Sequence, residues 1–343
     1  MQREIMAQTD LLDKSGNVLY PGYARRMLVR YNRENIRSRP FALKEWDFYQ
    51  LAQGDWILQT TIGHVSYAAS ISATLFNLRT GQRAGFNRMR PLPLRSLNMP
   101  LNPEEPNRLE VKGGDYSAAY YVSEKTRRIV FKAREKTGLV DIDITLNNDP
   151  ANEKMVIVTP FKKKPNQFYL NYKENFWGGS GYFTQAAEGG GDLTVNFGGD
   201  TTALIDWGRG VWPFTQEWFW GNCTAFLDGH RFGFNIGWGF GDLSHASENM
   251  VFYDGKAYKL GILDVKREGG NYMADWHFTS DDGILDLVMQ PFYDNYTRTK
   301  ILFIDTHCHQ IYGAFSGTVR IPGGKTLELK KIRAFCEHAE NRW

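Results

Sequence analysis

The chain has 343 residues, 42% of them apolar, with 41 basic and 38 acidic side chains and a net charge of +3. This is too long for one ordinary core and apolar enough for a sizeable one, so two domains or one large β architecture are expected. The balanced charge, with no basic block interleaved with aromatics, argues against a nucleic-acid partner.

Read from the start, MQREIMAQTDLLDKSG has no apolar core of the signal-peptide kind. No run of about 18 apolar residues occurs anywhere, so no membrane-spanning segment is expected. The three cysteines, Cys223, Cys308 and Cys336, are odd in number and form no CxxC pair. That pattern suits a reducing compartment, and a cytoplasmic location is expected. Pro40–Ala52 reads as one of only two short amphipathic helices, the other being Phe335–Trp343.

From Gly54 onward the dominant period is two. In "GLVDIDITL", Val140, Ile142, Ile144 and Leu146 share one face, while Asp141, Asp143 and Thr145 share the other, as in a half-buried strand. The polar region Lys162–Asn175 reads as a seam. The expected domains are therefore 1–165 and 166–343. The run Lys162-Lys163-Lys164 reads as a solvated strand end or linker.

The segment "DWGRGVWPFTQEWFWGNC", Asp206 to Cys223, concentrates Trp207, Trp212, Trp218 and Trp220 beside charged residues. Such a segment is either an aromatic core with an internal ion pair or the wall of a cavity. Next comes "HRFGFNIGWGF". Phe232, Phe234, Ile236, Trp238 and Phe240 lie on one face, opposite Gly233, Asn235, Gly237 and Gly239. The bare face admits close approach of another strand or a ligand. Asp228-Gly229, Asp254-Gly255 and Asp282-Gly283 suit tight hairpin turns, so the last two-fifths of the chain reads as an antiparallel meander.

Several chemistries fail on context. "GWGFGD", "GGSG" at Gly178 and "GGG" at Gly189 lack the helix or the Lys-Ser/Thr that a phosphate loop requires. There is no G-x-S-x-G elbow, and Cys223 reads as a small buried hydrophobe rather than a nucleophile. His307 and His309 share a strand face about 6–7 Å apart, with Asp305 beside them. They read as polar surface rather than as a metal site.

The strongest constellation spans Asp206 to Asn249. Acids near aromatic walls are desolvated, which raises a carboxyl pKa and prepares it to give up a proton. Glu248 or Asp242 is the expected general acid, with His245 as its base or relay. Asp206, Arg209, Asn235 and Asn249 are expected to orient a ligand, and Trp212, Trp218, Trp220 and Trp238 to wall the site. Arg209 paired with Asp206 is the competing arrangement.

The segments "GRGVWPFTQEWFWG", "GWGFGDLSHASENMVFYDGKAYKL" and "HQIYGAFSG…EHAENRW" resemble the domain-of-unknown-function 2804 family. That family is distantly similar to double-lipocalin proteins, which include hydroxyneurosporene synthase-like hydratases and tocopherol cyclase-like enzymes. The resemblance implies an all-β fold of two lipocalin-like antiparallel barrels packed together, with an apolar cavity between or inside them. It carries no catalytic residue across. The expected function is a cofactor-independent lyase, isomerase, cyclase or hydratase acting on a hydrophobic aromatic or lipid-like molecule. A non-catalytic carrier of such a ligand and a carbohydrate-active β-protein are the alternatives. No cofactor and no metal are expected, and a homodimer is left open.

Overall fold

The alternation in "GLVDIDITL" becomes the strand Gly138–Asn147. Its Val140, Ile142, Ile144 and Leu146 are fully buried, while Asp141 and Asp143 face outward to pair with Lys132 and Arg128. The same logic, repeated along the chain, builds a structure that is almost entirely antiparallel β-sheet. The computed structural model describes residues 2–39, 41–93, 97–162, 164–186, 191–301 and 304–342. Lys163, Gly189 and the terminal residues Pro40 and Trp343 of the two expected helices lie outside them. Among the described residues the helical turns are short 3-10 ones, at Arg33–Asn35 and Glu268–Gly270. None is long and apolar enough to cross a membrane.

The first barrel is built from two sheets. An eight-stranded sheet runs, in spatial order, Gly22–Ala24, Met155–Pro160, Phe168–Trp177, Thr202–Val211, Leu43–Gln53, Trp56–His64, Ala68–Asn77 and Arg83–Pro91. A six-stranded sheet covers it with Leu193–Phe197, Gly179–Gln185, Gly138–Asn147, Thr126–Glu135, Tyr116–Val122 and Asn107–Lys112. One continuous core, including Leu51, Leu58, Ile71, Phe131, Ile142 and Trp207, lies between them. The interior is filled by side chains, as small barrels commonly are.

The second barrel is one nine-stranded sheet. Its order is Lys256–Lys259, Met250–Tyr253, His230–Trp238, Thr215–Leu227, Lys325–Arg342, Ile304–Ile321, Leu285–Ile301, Trp276–Ser280 and Leu263–Arg267. Its two edge strands are consecutive in the chain, separated only by Leu260, Gly261 and Ile262, so the meander curls onto itself. Asp228-Gly229 supplies a two-residue hairpin turn with both residues at positive φ, 52° and 81°, the conformation its sequence suits.

Three sequence expectations are corrected here. Both expected helices are strands, Leu43–Gln53 and Lys325–Arg342. In Leu43–Gln53 both faces are covered: Tyr49 and Leu51 enter the first core, while Phe48 turns toward the second barrel. Two covered faces blur the period-two pattern. The division at 165/166 also does not coincide with the sheets. Phe168–Trp177 and Thr202–Val211 are adjacent strands of the first barrel, and the chain changes barrel between Val211 and Thr215. The ionic residues at the end of the Lys162–Asn175 region are buried partners. Glu174 pairs with Arg127, and Lys173 with Asp206.

The barrels meet through the outer face of the eight-stranded sheet. Ile57, Phe76 and Leu204 pack there against Trp220, Tyr312 and Phe335. A second contact joins Tyr23, Met155 and Ile157 to Ala246, Met250 and Phe252. The bare face of His230–Trp238 is part of this junction. The Asn175 side chain of the first barrel lies against Gly233 and donates to the Cys223 carbonyl at 2.8 Å.

Candidate active site between the barrels

Where the apolar contact opens, the two outer sheet faces enclose a cavity of about 320 Å³. The first barrel contributes Trp46 and Phe48, which share a face of Leu43–Gln53, with Asp206 from the adjacent strand and Tyr169 and Lys173 from the one beyond it. The second contributes Trp218 and Trp220, Gln310 and Glu337, and the loop after Trp238 adds Phe240 and Glu248. Five of the rings form one wall: Trp212 meets Trp46 at 5.4 Å, Tyr169 at 5.7 Å and Phe240 at 5.5 Å edge-on, Phe240 meets Trp218 edge-on at 5.5 Å, and Trp46 stacks on Tyr169 at 5.9 Å. Such edge-to-face sets fix ring positions beyond what burial alone provides.

Two groups of polar side chains face this wall. In the first, the Lys173 ammonium lies 3.4 Å from Asp206, 3.5 Å from Glu248 and 4.1 Å from the centre of the Trp220 ring. Asn171 also donates to Asp206. Burial raises the Glu248 pKa above the usual carboxyl range, the nearby Lys173 opposes that, and Asp206 adds to it. Glu248 is held in place from behind, because its backbone carbonyl accepts from Asn235 at 2.8 Å and Asn235 accepts from the Trp220 indole at 2.7 Å.

The second group centres on Glu337. The Trp218 indole donates to its Oε1 at 3.2 Å and the Gln310 amide to its Oε2 at 3.3 Å. The Cys308 thiol, whose own pKa burial and this carboxylate push up, also bonds to it. Desolvation pushes the Glu337 pKa up to about 7, against the Trp218 hydrogen bond and the charge of Lys173. The Trp218 and Gln310 N–H groups can only donate, so a protonated Glu337 finds no acceptor in them and the cavity is open to its O–H.

The structure sorts the sequence candidates. Asp206, Trp212, Trp218, Trp220 and Glu248 all line the cavity. Asn235 stands directly behind it, as described. Asn249 is structural, accepting from the Gly237 N–H at 2.8 Å and donating to the Gly261 carbonyl at 2.9 Å. Trp238 faces the interior of the second barrel, stacked on Phe219 at 4.9 Å. Asp242 lies outside the cavity wall, where the Ser244 backbone N–H and Lys162 outweigh its slight burial and hold its pKa low. That disqualifies it as a proton donor at neutral pH. His245 is also outside the wall, and its backbone carbonyl receives the Arg3 N–H at 2.8 Å.

Arg209 is the clearest correction. Positions three apart on a strand point to opposite faces, so Arg209 enters the first barrel while Asp206 faces the cavity. The Arg209 guanidinium pairs with Asp47 at 2.9 Å and caps the Trp207 ring at 3.9 Å. Neither the ligand-orienting role nor the pairing with Asp206 survives. Elsewhere, Cys223 is buried and its thiol pKa is raised by that burial. His307 and His309 each bond a carboxylate, Glu340 and Asp294, at 2.7 Å, while Asp305 is engaged by Arg298.

Sequence reasoning missed Trp46, Phe48, Tyr169, Lys173 and Glu337. The signal for Glu337 was present. Read as a strand, "FCE" sends Cys336 into the second core and leaves Phe335 and Glu337 together on the face toward the first barrel.

The fold and this site define a class: an all-β, double-lipocalin-type protein with an acid-bearing aromatic cavity between its barrels. The chain belongs to the domain of unknown function family DUF2804, whose model matches residues 2–343. No curated protein matches the sequence. Among solved structures, kievitone hydratase from Nectria haematococca is similar with a TM-score of 0.54, at 12% identity over 88% of each chain. Looser likenesses are a candidate AttH from Nitrosomonas europaea and CghA crystallised with Sch210972. The first has a TM-score of 0.42 and 11% identity over 88% of this chain and 93% of that one. The second has a TM-score of 0.43 and 10% identity over 98% and 97%. At such identities the likeness is one of fold.

Proposed function

We propose that this protein is a cofactor-independent acid/base enzyme, a lyase, isomerase, cyclase or hydratase. Its substrate is a hydrophobic, ring-containing small molecule held between the barrels. The observation that carries this reading is Glu337, a carboxyl in the wall of an aromatic cavity, with its pKa pushed up to about 7 and its two oxygens receiving the Trp218 and Gln310 N–H groups. A group with these properties is about half protonated at neutral pH and well matched to general acid catalysis. Trp46, Tyr169, Trp212 and Phe240 hold the substrate by ring contact. Glu337 gives its proton to the substrate. The carboxylate that results is stabilised by donors already in place, the Trp218 and Gln310 N–H groups, and by the charge of Lys173. Asp206, anchored by Asn171 and Lys173, is positioned to take a proton from the same substrate, and Glu248 supplies a second acid beside it. The fold of a hydratase accommodates chemistry of this kind, which is consistent with the proposal.

Native mass spectrometry of protein purified from its own host tests it first, through a co-purifying hydrophobic molecule. Trp220→Ala then weakens binding of that molecule, while Glu337→Gln binds it and fails to convert it. A molecule that the wild type binds and leaves unchanged makes the protein a carrier and overturns the catalytic reading.

A further inference from the structure

A second cavity, of about 380 Å³, lies elsewhere on the same interface, lined by Gln50, Thr202, Asn222, Tyr312 and Arg333 among others. It shares no wall residue with the first, yet a chain of hydrogen bonds joins them. The Tyr312 hydroxyl lies 2.9 Å from both Gln310 Oε1 and Gln50 Oε1, and its one proton serves either of them. Gln59 donates through its amide nitrogen to the same two oxygens, at 2.7 Å to Gln310 and 2.8 Å to Gln50. Gln310 thus has Tyr312 and Gln59, with Asn295 at 3.5 Å, on its carbonyl end, and its amino end points at Glu337.

This pattern fixes an orientation. A Gln side chain has one accepting end and one donating end, nearly equal in size. If Gln310 alone turned over, its amino group would face the Gln59 amino group and its carbonyl would face Glu337 Oε2. The protonated carboxyl would then spend its O–H on Gln310, inside the protein. With Tyr312 and Gln59 donating to Gln310 Oε1, that arrangement is disfavoured and the acid proton stays available to the cavity.

We propose that Tyr312, which lines the second cavity and not the first, is a positioning residue that orients the Glu337 proton toward the substrate by holding the Gln310 amide in one sense. The proposal rests on Glu337 being the proton donor. The other titratable or charged groups around Glu337 include Lys173, Asp206 and Tyr169 from the first barrel, Cys308 on the neighbouring strand, Cys336 beside it in its own strand, and Glu248 across the cavity.

The test is an infrared pH titration of the protonated carboxyl band, assigned to Glu337 by its loss in Glu337→Gln. It needs no substrate. In the wild type the band titrates near neutral pH. Tyr312→Phe keeps the ring and removes the donor, so Gln310 turns more freely. A Gln310 carbonyl against Glu337 favours the protonated form, and a hydrogen bond to the charged form is lost. The titration therefore moves upward by at least about half a unit, and the carbonyl stretch changes frequency. Gln310→Leu moves it in the same direction. If Tyr312→Phe does not fold, as judged by circular dichroism, Gln59→Leu removes the nearest of the remaining donors and carries the same expectation. Should Tyr312→Phe, or Gln59→Leu in its place, titrate like the wild type with an unchanged stretch while Gln310→Leu shifts, the positioning role is overturned. Absence of any Glu337 carboxyl band at pH 6 overturns instead the assignment of Glu337 as donor.

Discussion

Glu45 and Glu337 are both surrounded by protein, and their proton affinities move in opposite directions. Burial raises both. At Glu45, however, the hydrogen bond from His64 and the charges of Arg209 and Arg33 win and bring its pKa down to about 2. At Glu337 burial wins and the value is about 7, against an ordinary 4.5. The consequences for stability have opposite signs. The folded state holds the Glu337 proton more tightly than the unfolded state does, so stability falls as pH rises from about 4.5 to about 7. The shift corresponds to about 3 kcal/mol. Glu337→Gln removes that penalty. It should raise the melting temperature at pH 8, leave it nearly unchanged at pH 4, and abolish turnover. Thermal melts at the two pH values check this. Glu45 contributes stability that is complete above about pH 4.5 and lost as pH falls toward 2, so Glu45→Gln should destabilise at pH 7 and converge with the wild type in strong acid. The sequence led to the expectation that acids would meet tryptophans, and Asp206, Glu248, Trp218 and Trp220, singled out there, line one cavity in the structure. It did not announce Glu337 or Lys173, whose neighbours come from other segments of the chain: Trp218 and Gln310 for Glu337, Asp206 and Glu248 for Lys173.

The strands themselves were legible wherever one face met a core and the other met water, as in Gly138–Asn147. They were illegible where both faces were covered, as in Leu43–Gln53, and where a central strand carried buried ionic residues, as in Phe168–Trp177. Two predictions belong at this scale. A Cβ at Gly233 would stand 2.4 Å from the Asn175 amide nitrogen and 2.6 Å from the Cys223 carbonyl oxygen. Gly233→Ala should therefore cost about 1–3 kcal/mol by overpacking the junction between barrels, measured by chemical denaturation. In the other strand, Arg209 is fully buried and paired with Asp47. Arg209→Ala should cost about 3–5 kcal/mol, because it leaves Asp47 and Glu45 without that charge. A loss of activity with no loss of stability would instead return Arg209 to the site.

For the molecule as a whole, the two barrels serve as each other's cover. Neither interior is the candidate site; their outer faces make it. Ile57, Phe76 and Leu204 on one side, and Trp220, Tyr312 and Phe335 on the other, would be exposed if the barrels parted. Residues 2–211 and 215–342, expressed apart, should each be poorly soluble and should associate when expressed together, as read by size-exclusion chromatography. The double-barrel architecture was foreseeable from period-two faces and Asp-Gly turns, together with the family resemblance. The place of the cavity was not, because it depends on which outer faces pair. The most direct test of the account is a metabolite extract of the host, incubated at neutral pH with wild-type protein and with Glu337→Gln and compared by mass spectrometry. The account predicts at least one hydrophobic, ring-containing metabolite that the wild type consumes and the variant leaves intact. An extract left unchanged by the wild type, or changed equally by both proteins, would contradict it.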